Sequence, residues 1–100
     1  MLTVVAAKKK ETDWAALQSP FMKIPQMRVE IARDLLDLGL REVYDLQGRC
    51  PEMLFESLKA KGKPNTDDLT RAYLRMAVYY AENGSEADPR RLQPGAWMSA

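Results

Sequence analysis

From residue 27 the apolar positions fall three and four apart: Met27, Ile31, Leu35 and Leu38, with Ala32 on the same side. That period predicts an amphipathic helix. The chain enters it through an elbow at Lys23–Pro25 and leaves it at Gly39, which adopts positive φ at no steric cost. Ala32 would let a second helix approach closely. Upstream, Thr12 is placed as an N-cap with Asp13 at the positive end of the dipole, opening a short helix that carries Trp14 and Leu17. Ser19-Pro20 stops that helix, because the residue before a proline avoids the helical region.

Downstream, "LREVYDLQG" reads as a further short helix with Val43 and Leu46 on its inner side, closed by Gly48. Pro51 suits the first turn of the next helix, whose buried face would be Leu54, Phe55 and Leu58. "KAKGKPN" is a basic loop containing Gly62 and Pro64. Asn65 or Thr66 is the expected cap of the longest helix, with Asp67 and Asp68 favouring its positive end. Leu69, Ala72, Tyr73, Met76, Ala77 and Tyr80 form its wide apolar stripe, and Asn83-Gly84 end it. In the tail, Pro89–Leu92 suits one helical turn. Residues 1–11 lack periodicity and end in Lys8-Lys9-Lys10, although "LTVV" could pair as a short strand.

The expected fold is all-α, a compact bundle of five or six short helices joined by tight connections. The division that follows is a flexible arm at 1–11, a single helical domain at 12–97 and a tail at 98–100. A chain of 100 residues suits one domain. It buries roughly 60–70 % of its unfolded surface, enough for one modest core. With 46 % apolar and 29 % charged residues, the composition is that of a globular chain rather than a disordered one.

Charge changes the functional picture more than the fold. The net charge is +1, and the signs alternate rather than segregate. Residues 20–50 set Lys23, Arg28, Arg33, Arg41 and Arg49 against Glu30, Asp34, Asp37, Glu42 and Asp45. Tight nonspecific binding of nucleic acid requires many neutralised phosphates, so this balance argues against it and leaves room for a small local patch. No apolar run reaches the ~20 residues of a membrane helix. The opening "MLTVVAAKKKE" carries its charges after the apolar run, the reverse of a secretory signal. With the lone Cys50, which suits a reducing compartment, this places the expected setting in a bacterial-type cytoplasm.

Several stretches together carry a resemblance. "KIPQMRVEIARDLLDLGL" falls where a small bacterial helix-hairpin-helix family has Ile-Pro-Gly-apolar-Gly, an alanine two turns on, and Leu-Gly-Ile. "REVYDLQGRCPEMLFESL" resembles that family's Val-x-Asp-Leu-x-Gly-x-Asp-Pro-Glu-x-Leu-Tyr run. "YLRMAVYYAENG", with Arg75 and Ala77 to Tyr80, resembles its aromatic C-terminal helix, and "DPRRLQPGAW" its terminal Asp-Pro-x-x-Leu segment. From about residue 14 to residue 97 the chain is similar to the pathogenicity-locus family, itself related to mitomycin-resistance-like proteins. The resemblance implies a helix-hairpin-helix or sterile-alpha-motif-like fold. The chain departs from the pattern at Gln26 and Arg28, where the hairpin glycines belong. It departs again at Cys50, which replaces an aspartate, and at Leu69 and Met76, where family members often carry cysteines.

In a helix-hairpin-helix, the turn's N–H groups and the next helix N-terminus form a small anion site. Glycine serves that site by allowing unusual φ/ψ and close phosphate approach. Gln26 and Arg28 remove both advantages, so the turn has either relaxed or kept its strain. Two readings stand. In the simpler one, Ile24, Pro25 and Met27 pack an elbow and Arg28 is solvated. In the other, Lys23, Gln26, Met27 and Arg28 contact a phosphate, Arg28 through its forked donors, with support from Lys59, Lys61 and Lys63 if the loops converge.

The remaining candidates are weaker. With no histidine, the commonest general base and metal ligand is missing, and no enzyme, cofactor or metal site is expected. Cys50 could be a thiol activated at a helix N-terminus, but reads better as a poor cap. Asp34 and Asp37 could share a cation, and read better as solvated carboxylates. Tyr73 and Tyr80 suit the core, while Tyr79 could reach the surface and stack a base. Trp14 and Trp97 are expected to close the domain by packing its terminal segments, or in the case of Trp97 to form an interaction patch. The expected function is weak, sequence-independent binding of DNA or other nucleic acid through the proline elbow. The alternative is a protein-interaction or self-association module.

Overall fold

A computed structural model of the chain describes residues 14–63 and 67–98. The 1–11 arm, the short strand suggested at "LTVV", and the caps expected at Thr12, Asp13, Asn65 and Thr66 lie outside the described residues. Among the described residues there are four α-helices and no strand: α1 at 14–17, α2 (Val29–Asp37), α3 (Pro51–Ala60) and α4 (Asp68–Asn83). Single 3-10 turns lie between helices at Pro20–Lys23 and Val43–Leu46, and three more follow α4 at Gly84–Glu86, Pro89–Arg91 and Pro94–Trp97. No helix there is long and apolar enough to cross a membrane.

The expectation of five or six helices is corrected by the segment 41–48. Only Val43–Leu46 turns, with Glu42 and Gln47 extended on either side. Asp45 accepts the N–H groups of Arg41 and Glu42 at 3.0 and 2.9 Å, a side-chain turn that competes with helix propagation. One turn of helix is all that remains.

α4 carries the core. Thr70, Ala72, Tyr73, Leu74, Met76, Ala77, Val78 and Ala81 are buried along it, so it is covered on most of its circumference. α3 packs against it, as do α2 and the turns at Val43–Leu46 and Pro94–Trp97. From α2, the Val43–Leu46 turn and α3 come Leu35, Leu46 and Leu58, and from the segment at the Pro20–Lys23 turn come Phe21 and Ile24, each almost completely buried. Complete burial of such a side chain stabilises by roughly 1.5–3 kcal/mol. The stripe read from the sequence holds, except that Leu69 is 37 % exposed at the first turn of α4. Trp14 and Leu17 are corrected more sharply. Trp14 is 60 % exposed and does not close the domain.

α2 and α3 end in the same way. Gly39 (φ +92) and Gly62 (φ +73) follow the last turns. Leu40 N–H bonds to Leu35 O at 3.2 Å and Lys63 N–H to Leu58 O at 3.1 Å, while each glycine N–H closes the shorter bond of a Schellman motif. The second motif directs Lys63 back toward α2.

At its other end α4 is capped by Asp67, which accepts the Thr70 N–H at 2.9 Å. That bond, first among several, holds the Asp67 carboxyl below the usual range. Replacing Asp67 with alanine should lower unfolding stability by about 1 kcal/mol. Asp68→Ala should cost clearly less, because no cap bond is lost, and urea denaturation of the two variants at pH 7 compares them.

Candidate nucleic-acid interface

The elbow is a β-turn from Ile24 to Met27, closed by Met27 N–H to Ile24 O at 3.1 Å. Pro25 presets the second position, and Gln26 takes φ +66, the one non-glycine residue with positive φ among those described. Proline followed by positive φ is the pattern of a type II turn. For a residue with a Cβ this conformation costs on the order of 1 kcal/mol. The strain is therefore retained rather than relaxed. Ile24 and Met27 are buried, while Pro25 and Gln26 face solvent. Burial of the two apolar neighbours is what holds the turn in this shape.

Arg28 is the N-cap of α2 and makes no side-chain cap bond. Its carbonyl accepts Ile31 and Ala32 at 3.1 and 3.0 Å, leaving the N–H groups at the start of the helix directed outward. The surroundings are not purely positive. The Arg28 guanidinium donates to Glu30 at 2.9 Å, both groups half exposed. Arg28, Glu30, Asp67 and Thr70 line one small pocket of about 60 Å³. An incoming phosphate would meet donors and two carboxylates together.

Of the residues expected at this site, Lys23 and Gln26 are exposed beside the turn. Met27 is corrected: its side chain lies in the core and its N–H is already bonded to Ile24. The supporting lysines do not converge on the turn as a group. Lys63 contacts Asp37 and lies 3.8 Å from Asp34, and Asp37 stands nine residues beyond Arg28, roughly 13 Å along the helix axis. Lys59 and Lys61 sit at the same end of α3, Lys59 within 3.9 Å of Glu56.

Asp34 and Asp37 were expected to be solvated, and here the structure corrects the sequence. Asp34 is 2 % exposed, and one of its carboxylate oxygens has no hydrogen-bond partner. Burial raises its pKa to about 6, partly offset by Lys63 and reinforced by Asp37. For Asp37 burial also raises the pKa, but contacts with Lys63 and then Arg33 outweigh it and hold the carboxyl below the usual range. Cys50, exposed at the N-cap of α3, makes no cap bond, as its chemistry suggests.

Sequence reading missed a second cluster. Arg75, Val78, Tyr79 and Glu82 share a face of α4 and line a groove with Trp97, Arg49 and Pro51. Their i, i+3, i+4, i+7 spacing was visible, but Arg49 and Trp97 join only through tertiary packing. Tyr73 is buried, and Tyr80 and Tyr79 are half-buried.

A family model described as Cdd1, pathogenicity locus, matches residues 15–97. The chain belongs to the pathogenicity locus family. Neither a curated protein nor a solved structure matches it. The matched span of this pathogenicity locus protein takes in the proline turn, the Asp34 cluster and the Trp97 groove alike.

Because the folded pKa of Asp34 lies above its ordinary value of 3.8, its stabilising contribution is complete below pH 4 and lost as pH rises through 6. The difference is on the order of 3 kcal/mol. Asp37, Asp67, Asp45 and Asp88 are shifted downward and lose their contributions only below the ordinary carboxylate range. Stability between pH 4 and 6.5 should therefore fall with rising pH in the native chain and stay flat in Asp34→Asn. Denaturant midpoints of both proteins across that window measure the difference.

Proposed function

We propose that this protein is a non-enzymatic module of the helix-hairpin-helix type that binds a nucleic-acid phosphate backbone weakly and without sequence preference. The observation that carries the reading is Gln26 at φ +66, two residues before Arg28, the N-cap of a helix with no side-chain cap bond. Turn and helix start together supply outward N–H groups and the positive end of a dipole. Arg28 adds a forked donor once it leaves Glu30, and Lys23 adds a point charge. Contacts of this kind position a backbone and carry no sequence information.

Weakness follows from the same geometry. Glu30 and Asp67 stand within the site, and the whole chain has net charge +1. With two or three phosphates engaged, the salt slope on a single strand would be about −2. The lone Cys50 and the absence of histidine fit a cytoplasmic binding protein better than a catalyst. A second reading, docking of a protein partner or a second copy, draws on Tyr44 and Met53, which are 65 % and 70 % exposed.

Salt-titrated anisotropy with labelled DNA and RNA, with light scattering on the same samples, tests both readings. Lys23→Ala with Arg28→Ala should abolish most of the affinity and flatten the slope. Unchanged binding in that double variant overturns the turn as the contact. Glu30→Gln should tighten binding by roughly two- to fivefold, since it removes a carboxylate from the first turn and frees Arg28. Gln26→Gly should both tighten binding and raise stability by up to about 1 kcal/mol.

A further inference from the structure

The groove on the C-terminal half of α4 has the chemistry of a base-stacking site. The rings of Tyr79 and Trp97 lie 5.5 Å apart at 49°, forming a floor and a wall. Both are held. Trp97 Nε1 donates to Arg91 O at 2.8 Å, and the Tyr79 hydroxyl accepts the Asp88 N–H at 2.9 Å. Arg75 donates to the Trp97 carbonyl at 2.8 Å while its other nitrogens engage Glu52. The groove measures about 260 Å³, just under the range that encloses drug-sized ligands and enough for one planar ring system.

Its charges are unequal in availability. Glu82 is occupied by the Gly48 N–H at 3.0 Å. Arg49, exposed at the rim, donates through Nε to Asp45 O at 3.1 Å, and no ion pair engages its terminal nitrogens among the described residues. Arg91 lies over both rings, 6.0 and 5.8 Å from their centroids. An aromatic seat beside a guanidinium that is oriented through Nε and keeps its terminal nitrogens out of any ion pair among the described residues favours a planar ring joined to an anion.

We infer that this groove is a second contact for single-stranded nucleic acid, in which one base stacks against Trp97 and Tyr79 while Arg49 takes an adjacent phosphate. The inference rests on the nucleic-acid reading of the proline turn but uses another face of the molecule. A duplex keeps its bases stacked on one another, so only an unpaired strand offers a base to these rings.

The full chain with Trp14→Phe leaves Trp97 as the sole tryptophan of the two. Titration with oligothymidylate should quench Trp97 fluorescence in step with the anisotropy of the labelled strand, and a duplex of equal length should not quench it. Arg49→Gln, at an exposed position, should weaken single-strand binding about threefold to tenfold. Trp97→Leu should weaken it by at least fivefold, the low end of one stacked base. Unquenched Trp97, with affinity kept in Arg49→Gln and lost in Lys23→Ala/Arg28→Ala, overturns the groove and leaves the turn standing. Affinity kept in the Lys23/Arg28 variant and lost in Arg49→Gln upholds the groove and overturns the turn. Equal quenching by duplex overturns the stacking, and no binding to any strand at low salt overturns both.

Discussion

The structure depends on the burial of α4. Its neighbours are short: α2 has nine residues and α3 ten, below the length at which isolated helices persist in water. None of them can form alone. What they share is a rod of 16 residues on which alanines at 72, 77 and 81 give close approach and Leu74 and Met76 fill the spaces between. Tertiary contact with this rod is what converts marginal local propensity into helices. The proline turn inherits its shape from the same source. Ile24 and Met27 are held in the core, and Gln26 between them must accept a left-handed conformation that it would otherwise avoid.

A second dependence is electrostatic and works against stability. The Schellman end of α3 sends Lys63 to the C-terminal half of α2, where it meets a buried carboxylate and a half-buried one. For Asp37 the attraction prevails. For Asp34 desolvation prevails, and the group takes up its proton near pH 6, well above the usual carboxylate range. Removing a charge from water costs more than one ammonium at 3.8 Å returns. The pair therefore serves to fix the position of α3's end against α2 rather than to add strength.

Much of this could be read from the sequence. Periodicity located α2, α3 and α4, and the glycines at 39, 48, 62 and 84 marked turns that all take positive φ. What periodicity could not report was how far a short apolar run would propagate. Val43 and Leu46 have helical spacing, yet Asp45 captures the backbone and leaves one 3-10 turn. It also could not report depth. Asp34 stands one turn before Leu38 and looks like a polar-face residue until Lys63 covers it. Trp14 looks like core until α1 proves too peripheral to bury it. The two candidate sites divide in the same way. The turn is contiguous in sequence and was legible there. The groove unites residues from 49 to 97 and exists only after folding.

The relation between turn and groove constrains what the protein can hold. Tyr73 lies beside the turn and Val78 in the groove. Five residues apart on a helix, they point about 140° away from each other. No flat surface includes both. A duplex, stiff over far more than the width of this domain, reaches one or the other, and at the turn it meets Glu30 and Asp67 as well as Arg28. A flexible single strand can pass around α4 and touch both. If the strand is the ligand, as proposed, two weak contacts on one rigid body would gain from effective concentration what neither would have alone. Balanced charge, which counts against tight duplex binding, is compatible with a strand held by one phosphate grip and one stacked base.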